Sequence, residues 1–208
     1  MNLAQFYTNQ ELSDLLVSQF DSSSPESVLD IGCGKSNLLV AAGKRWNRAA
    51  LFGFDIDPDN ISKTQGNLNL LSGNGLDPDL QNKIFDICGR IDISVSNPPY
   101  LSVDYNKDIQ TILNQIGLKE VISQNIHKIP SELVFLAQNF SVLKPGGEMG
   151  IILPAGLISG VRWRGFREFL LSQYSVQSCI QLPSDAFKNT EASTFAISLK
   201  NRRASSNT

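Results

Sequence analysis

The chain has 208 residues, 41% of them hydrophobic and 18% charged, with a formal net charge of −2. That length suffices for one α/β domain whose core needs no staples. The slight acid excess sets it apart from proteins that hold duplex nucleic acid unaided on a basic face, and no apolar run approaches the ~20 residues that span a bilayer.

Taken in chain order, residues 10–20 (QELSDLLVSQF) carry apolar side chains at helical spacing and stop at DSSSP. SVLDI is a short β-branched run, followed at once by GCGKSNLLVAAGKRW, a glycine turn leading into a helix. ALFGFDID reads as a second strand, and PDNISKTQGNLNLL as a second helix opened by proline. SGNGLD is rich in turn residues, so a third strand there can only be short. DLQNKIFDICGR has helical character, and IDISVS alternates like a strand before NPPY. ELVFLAQNFSVL reads as a helix stopped by KPGG, EMGIILP as a strand and VRWRGFREFLLSQY as a helix. VQSCIQL and STFAISLK close the chain as an antiparallel pair.

Strands that alternate with helices predict a mostly parallel sheet covered on both faces. One domain, residues 1–200, is expected to hold the chemistry. Residues 101–130 make a long loop or insertion, far beyond the usual βα connection, and 201–208 a disordered tail. The start, MNLAQFYTNQ, lacks the basic and apolar stretches of a secretory signal, which places the protein in the cytoplasm with no membrane association.

Cys33, Cys88 and Cys179 lie far apart and in no ligand spacing. The single histidine, His127, has no acidic or cysteine partner nearby in sequence. No metal site is expected, and a histidine-based triad is disfavoured.

The first candidate site is VLDIGCGKS. Asp30 closes a strand, and Gly32 and Gly34 let the backbone bend beneath a ligand where side chains would collide. The spacing D-x-G-x-G is not a phosphate-binding P-loop, which needs another glycine further upstream. The turn therefore need only make room for a ligand that brings no phosphate to it. About 20 residues on, GFDID sets Asp55 at the end of the next strand, where a carboxylate can bind both ribose hydroxyls. Asp57, just before Pro58, suits a helix cap instead.

The second is IDISVSNPPY. Asn97 follows a buried strand at the carboxyl edge, where open α/β sheets place ligands. Pro98 and Pro99 stiffen the backbone and remove two N–H donors, freeing carbonyls to face a substrate. An amino nitrogen conjugated to a ring is a weak nucleophile. The Asn97 side-chain oxygen and the Pro98 carbonyl can each accept one of its N–H bonds and aim its lone pair at a methyl donor. Tyr100 offers a flat face to a base drawn out of a duplex. Asp92 begins the strand, too remote from Asn97 to act as its base.

D-I-G-C-G, F-D-I-D-P and D-x-x-x-x-N-P-P-Y, in this order, resemble the amino-methyltransferases acting on nitrogen. Further pieces are similar to the DNA adenine N6 branch, and within it to the modification subunits of type I restriction–modification systems. They are QFYT at 5–8, the run Leu133 to Pro154 around KPGG, and LPSDAFKNTEASTFAISL. The resemblance covers nearly the whole chain. It implies a Rossmann-like, S-adenosylmethionine-dependent methyltransferase fold of seven strands with a reversed last strand. It also implies that Tyr7 and Thr8 cover the methionine end of the cofactor and that Phe187 contacts a flipped adenine; an ordinary hairpin aromatic is the competing reading of Phe187. Asn74 takes the place of a commonly acidic residue near the cofactor's adenine, with Asp77 as competitor. Ser36 stands where many relatives have glycine, and Asn9 where the family's F-x-T-P motif has proline.

The activity implied is methyl transfer from S-adenosylmethionine to N6 of adenine in DNA. No target-recognition domain follows the hairpin, so a specificity subunit or other partner is expected to choose the sequence. Two alternatives remain: the same chemistry on a protein glutamine or RNA adenine, or an inactive cofactor-binding subunit of a restriction or defence complex. The clusters Arg162, Trp163, Arg164, Arg167 and Lys200, Arg202, Arg203 can meet phosphates, although a solvated helix face is the preferred reading.

Overall fold

Short β-branched runs and amphipathic segments assemble into a seven-stranded sheet flanked by helices. The computed structural model describes residues 8–62, 66–123, 125–183 and 193–202. Tyr7, Phe187 and Arg203 therefore lie outside the described residues.

The first half runs α1 (Gln10–Ser18), β1 (Ser27–Ile31), α2 (Asn37–Arg45), β2 (Ala50–Asp55), α3 (Pro58–Ile61), β3 (Leu68–Ser72), α4 (Leu80–Cys88) and β4 (Ile91–Ser96). The second half runs β5 (Ser102–Asp104), α5 (Lys107–Asn114), β6 (Lys128–Pro130), α6 (Ser131–Val142), β7 (Leu143–Pro154), α7 (Ala155–Ser159), α8 (Arg164–Gln173), β8 (Tyr174–Gln181) and β9 (Thr194–Asn201). The large sheet has the order β3-β2-β1-β4-β7-β9-β8. Pairs from β3 through β7 are parallel, while β9 is antiparallel to both β7 and β8. This is the seven-stranded, mostly parallel sheet with a reversed last strand that the sequence implies. It turns over between β1 and β4, the crevice where such sheets bind ligands.

Each face of the sheet has its own core, and side chains alternate between them along a strand. Val28 packs with Leu16, Phe20 and Leu39 beneath α1 and α2. Leu29 and Ile31 face the other way, onto Ile84, Leu133 and Leu136. Helix α6 is buried at every residue, which explains why its sequence is apolar nearly all round rather than on one stripe. Phe140 from this helix stacks on Tyr174 with ring centroids 3.8 Å apart.

Two departures from the sequence expectation have physical causes. The helix expected over PDNISKTQGNLNLL is only α3, four residues long and capped by Asp57, whose side chain accepts from Asp59 N. The NLNLL portion instead enters β3, where residues 68–72 pair with β2 in register from Leu51–Leu68 to Asp55–Ser72. Gly66, at φ +62°, lies just before it, and ladder hydrogen bonds to β2 outweigh the weak helical preference of an Asn/Leu repeat. Residues 101–130 contain β5, α5, a 3-10 turn at Leu118–Val121 and β6, with β5 and β6 paired antiparallel as a small separate sheet. Its apolar side chains Ile109, Ile112, Leu113 and Ile129 join the core around α6.

Candidate active site

The carboxyl ends of β1, β2 and β4 and the start of α6 enclose a cavity of about 430 Å³. It gathers sequence segments that lie far apart: Thr8, the Asp30–Asn37 turn, Asp55 with Ile56, the Gly73–Leu76 turn, Asn97 to Pro99, and Ser131 with Phe135.

Its floor is the glycine turn after β1. Gly32 and Gly34 take φ of +79° and +51°, values that cost a residue bearing Cβ about 1–2 kcal/mol. A Cβ on Gly32 would also lie 3.0 Å from the Phe135 ring, and one on Gly75 would overlap that ring. Phe135 thus sets how closely the two turns approach each other. Ser36 has φ +60°, the left-handed conformation that glycine adopts without cost.

Asp55 is 5% exposed, and its carboxylate stitches the floor together. Oδ2 accepts from Gly34 N at 2.7 Å, while Oδ1 accepts from Asp57 N at 2.8 Å and Asn60 Nδ2 at 3.2 Å. Each oxygen retains acceptor capacity towards the cavity. Asn74 lies in the wall, with its Oδ1 accepting from Leu76 N. Asp77 does not line the cavity, and its side chain caps the approach to α4 through Asp79 N.

Asp30 is 2% exposed, and its Oδ1 has no hydrogen-bond partner among the described residues. Burial, reinforced by the nearby Asp55 carboxylate, pushes its pKa well above the ordinary range. A buried, unsatisfied carboxyl in a cavity wall suits a ligand that brings a cation or N–H donors. Beside it, burial and the same two carboxylates push the Cys33 thiol up, so Cys33 is a neutral wall residue rather than a nucleophile.

The opposite wall is Asn97-Pro98-Pro99. Asn97 Nδ2 donates to Thr8 Oγ1 at 3.0 Å, and the Tyr100 hydroxyl donates to Asn97 Oδ1 at 3.3 Å. The Pro99 carbonyl is already engaged by Ser131 Oγ and Leu101 N. Among the described residues none donates to the Pro98 carbonyl. Pro98 is buried, and its ring lies in the cavity wall next to Asn97. Tyr100 stands behind this wall rather than in it. Burial, with a smaller contribution from Glu132, raises its phenol well above the ordinary value. Glu132 is itself buried; burial lifts it to about 7, and its Oε2 has no partner among the described residues.

Motif reading did not identify Ser131, Phe135, Asn37 or Ile56 as part of the site. Ser131 and Phe135 carry no local signature, being two buried positions at the start of an apolar helix. Asn37 begins α2 and donates to the Thr8 carbonyl at 2.6 Å. Ile56 follows Asp55 directly, and its 55% exposure on the cavity wall marks an apolar flank for a planar ring. Asn9, at the family's proline position, has φ −74° and ψ 171°, which proline also adopts. Its side chain caps α1 by accepting from Leu12 N at 2.9 Å, so the substitution keeps the turn. Among the described residues no group of His, Cys, Asp and Glu is arranged to hold a metal ion. No described helix is long and apolar enough to cross a membrane.

A sequence model of the family described as N-6 DNA Methylase matches residues 2–208. The chain belongs to that family. The type I restriction enzyme MpnII methylase subunit of Mycoplasma pneumoniae is 24% identical over 223 residues, covering 96% of this chain and 40% of the relative. The rRNA N(6)-adenosine-methyltransferase metl-5 of Caenorhabditis elegans is 28% identical over 135 residues, covering 58% of this chain and 60% of the relative. Among solved structures, the M protein of the type I restriction enzyme EcoKI superposes with a TM-score of 0.64 at 17% identity, over 95% of this chain and 44% of that one. At that identity the likeness is one of fold. The chain spans less than two thirds of the length of each of these relatives.

The cofactor of this N-6 DNA methylase family member is S-adenosylmethionine, and the cavity fits it. The molecule needs a carboxylate for its ribose, an apolar slot for its adenine and acceptors for its ammonium. The cavity offers Asp55, the Ile56–Leu76–Phe135 surface and the orphaned Asp30 oxygen.

Proposed function

We propose that this chain transfers a methyl group from S-adenosylmethionine to N6 of adenine in DNA, with a specificity subunit or other partner contributing sequence recognition. The observation that carries this reading is that Asn97 and Pro98 line one cavity wall side by side, with no described residue donating to the Pro98 carbonyl. When bound, the cofactor supplies an electrophilic methyl carbon on a sulfonium.

The protein's contribution is alignment. The Asn97 Oδ1 and the Pro98 carbonyl oxygen accept the two N–H bonds of the amino group, drawing its lone pair out of conjugation and towards the methyl carbon. That lone pair would take the methyl group from a cofactor held there, the C–S bond pair staying on sulfur, and the nitrogen would release one proton to solvent. Pro98 and Pro99 hold the two acceptors with little conformational freedom to lose, and the Ser131 bond to the Pro99 carbonyl fixes the loop. Tyr100 bonds to Asn97 from behind, and we assign it to holding the amide as well as to flanking the base. Asp55 takes the ribose, and Asp30, Gly32, Gly34 and Asn74 form the rest of the cofactor's bed. Tyr7 and Phe187, outside the described residues, keep the roles that family resemblance implies for them.

The same acceptor pair serves any planar amino or amide nitrogen. The likeness to an rRNA N(6)-adenosine-methyltransferase makes RNA adenine the second reading, while likeness to type I restriction methylase subunits along 96% of this chain favours DNA. The test is transfer of labelled methyl to unmethylated genomic DNA, tRNA and protein extract, with and without a co-purifying partner. Label on DNA adenine that disappears in Asn97→Ala supports the proposal. Label confined to RNA or protein refutes it, and cofactor binding without turnover under any condition points to an inactive subunit.

A further inference from the structure

The Asn97 amide presents an oxygen and an NH2 group of nearly equal shape. Only the oxygen can accept from a substrate amino group, so hydrogen-bond partners must decide which end faces the acceptor site. Among the described residues Thr8 meets the NH2 end, its Oγ1 accepting from Asn97 Nδ2 at 3.0 Å across a separation of 89 residues, while the Tyr100 hydroxyl donates to Oδ1 at the other end. Thr8 is 6% exposed, so water is poorly placed to substitute for it. Its own position is fixed from both sides: its carbonyl accepts from Asn37 Nδ2 at the start of α2, and the next residue, Asn9, caps α1.

We propose that Thr8 is a positioning residue for methyl transfer, orienting the Asn97 amide so that Oδ1 faces the substrate nitrogen. This goes beyond the cofactor-covering role that resemblance implies for Thr8, and it rests on the reading of Asn97 as an acceptor. The hydroxyl lies in the cavity wall, where the same side chain borders the cofactor space. Thr8 thus links the Asn97 wall to the start of α2 through its hydroxyl and its carbonyl.

The discriminating pair is Thr8→Val, which keeps the branched shape and removes the acceptor, and Thr8→Ser, which keeps the acceptor. Thr8→Val should lower kcat on the order of tenfold at saturating S-adenosylmethionine, the worth of one buried hydrogen bond. Thr8→Ser should restore the rate. Independently of any methyl acceptor, the Asn97 side-chain NH2 resonances, identified by their loss in Asn97→Ala, should shift in Thr8→Val and stay near the wild-type position in Thr8→Ser. Wild-type kcat in Thr8→Val at saturating cofactor, or equal slowing in both variants, would overturn the proposal. So would unshifted amide resonances, and that arm still decides if the wild-type protein transfers methyl to none of the acceptors tried.

Discussion

The two ends of the parallel sheet treat their carboxylates in opposite ways. At the amino end, Asp92 opens β4 with every need met. Its Oδ2 accepts from Glu26 N, Ser27 N and Ser27 Oγ, each at 3.0 Å, and Oδ1 pairs with Lys144 Nζ at 2.8 Å. Burial would raise its pKa, but the bonds from Lys144 and Ser27 outweigh that and hold it below the ordinary value. At the carboxyl end, Asp30 closes β1 with an orphaned oxygen and a carboxyl pushed the other way. One end is finished as a folded structure; the other is left incomplete for a ligand to complete. A buried group left unsatisfied in this way costs stability, and Asp30 lies in the wall of the ligand cavity.

The comparison breaks most sharply at Asn97. Asn97→Ala should reduce methyl transfer by roughly 10²–10³-fold, as loss of a transition-state hydrogen-bonding group does, with cofactor affinity and melting temperature close to wild type. A matching loss of cofactor binding would show that the two walls of the cavity are not separable. Asp55→Ala should do the reverse and weaken S-adenosylmethionine binding by about 1.5–3 kcal/mol, the worth of hydrogen bonds to a charged group, as read by calorimetry.

At the finished end, Asp92→Ala should lower stability by about 1–2 kcal/mol in chemical denaturation while leaving cofactor affinity intact. Because Asp92 is depressed, its contribution is full above the ordinary carboxylate pKa and fades as pH falls through its lowered value. Asp30 carries the opposite sign. Its contribution is full below the ordinary carboxylate pKa and fades as pH rises through its raised value, so Asp30→Asn should remove the fall in stability that sets in above the ordinary carboxylate pKa. A cation bound at its free oxygen favours ionisation. Cofactor binding should therefore release a fraction of a proton, visible as a dependence of the binding enthalpy on buffer ionisation heat. Proton uptake instead would place the ammonium elsewhere.

Much of the site was legible because its parts are local. Gly32 and Gly34 announce a turn with left-handed backbone, Asp55 ends the next strand, and Asn97-Pro98-Pro99-Tyr100 follows a third. Each is a strand end in a parallel sheet, and such ends converge on one edge by topology. The β3 strand was not legible, because NLNLL has no strong preference and is drawn into the sheet by β2. Ser131 and Phe135 were missed for a related reason: they act through what they touch, Pro99 on one side and Gly32 and Gly75 on the other.

The sequence by itself determined the alternation of elements, the reversed final pair and the residues that end three strands, since periodicity, glycine and proline act within a few residues. Only the tertiary structure decided that Thr8 reaches Asn97, that Asp30 is left without a partner at one oxygen, and that residues 101–130 pack around α6. These depend on contacts between segments distant in the chain, whose energies arise only once the sheet has brought them together.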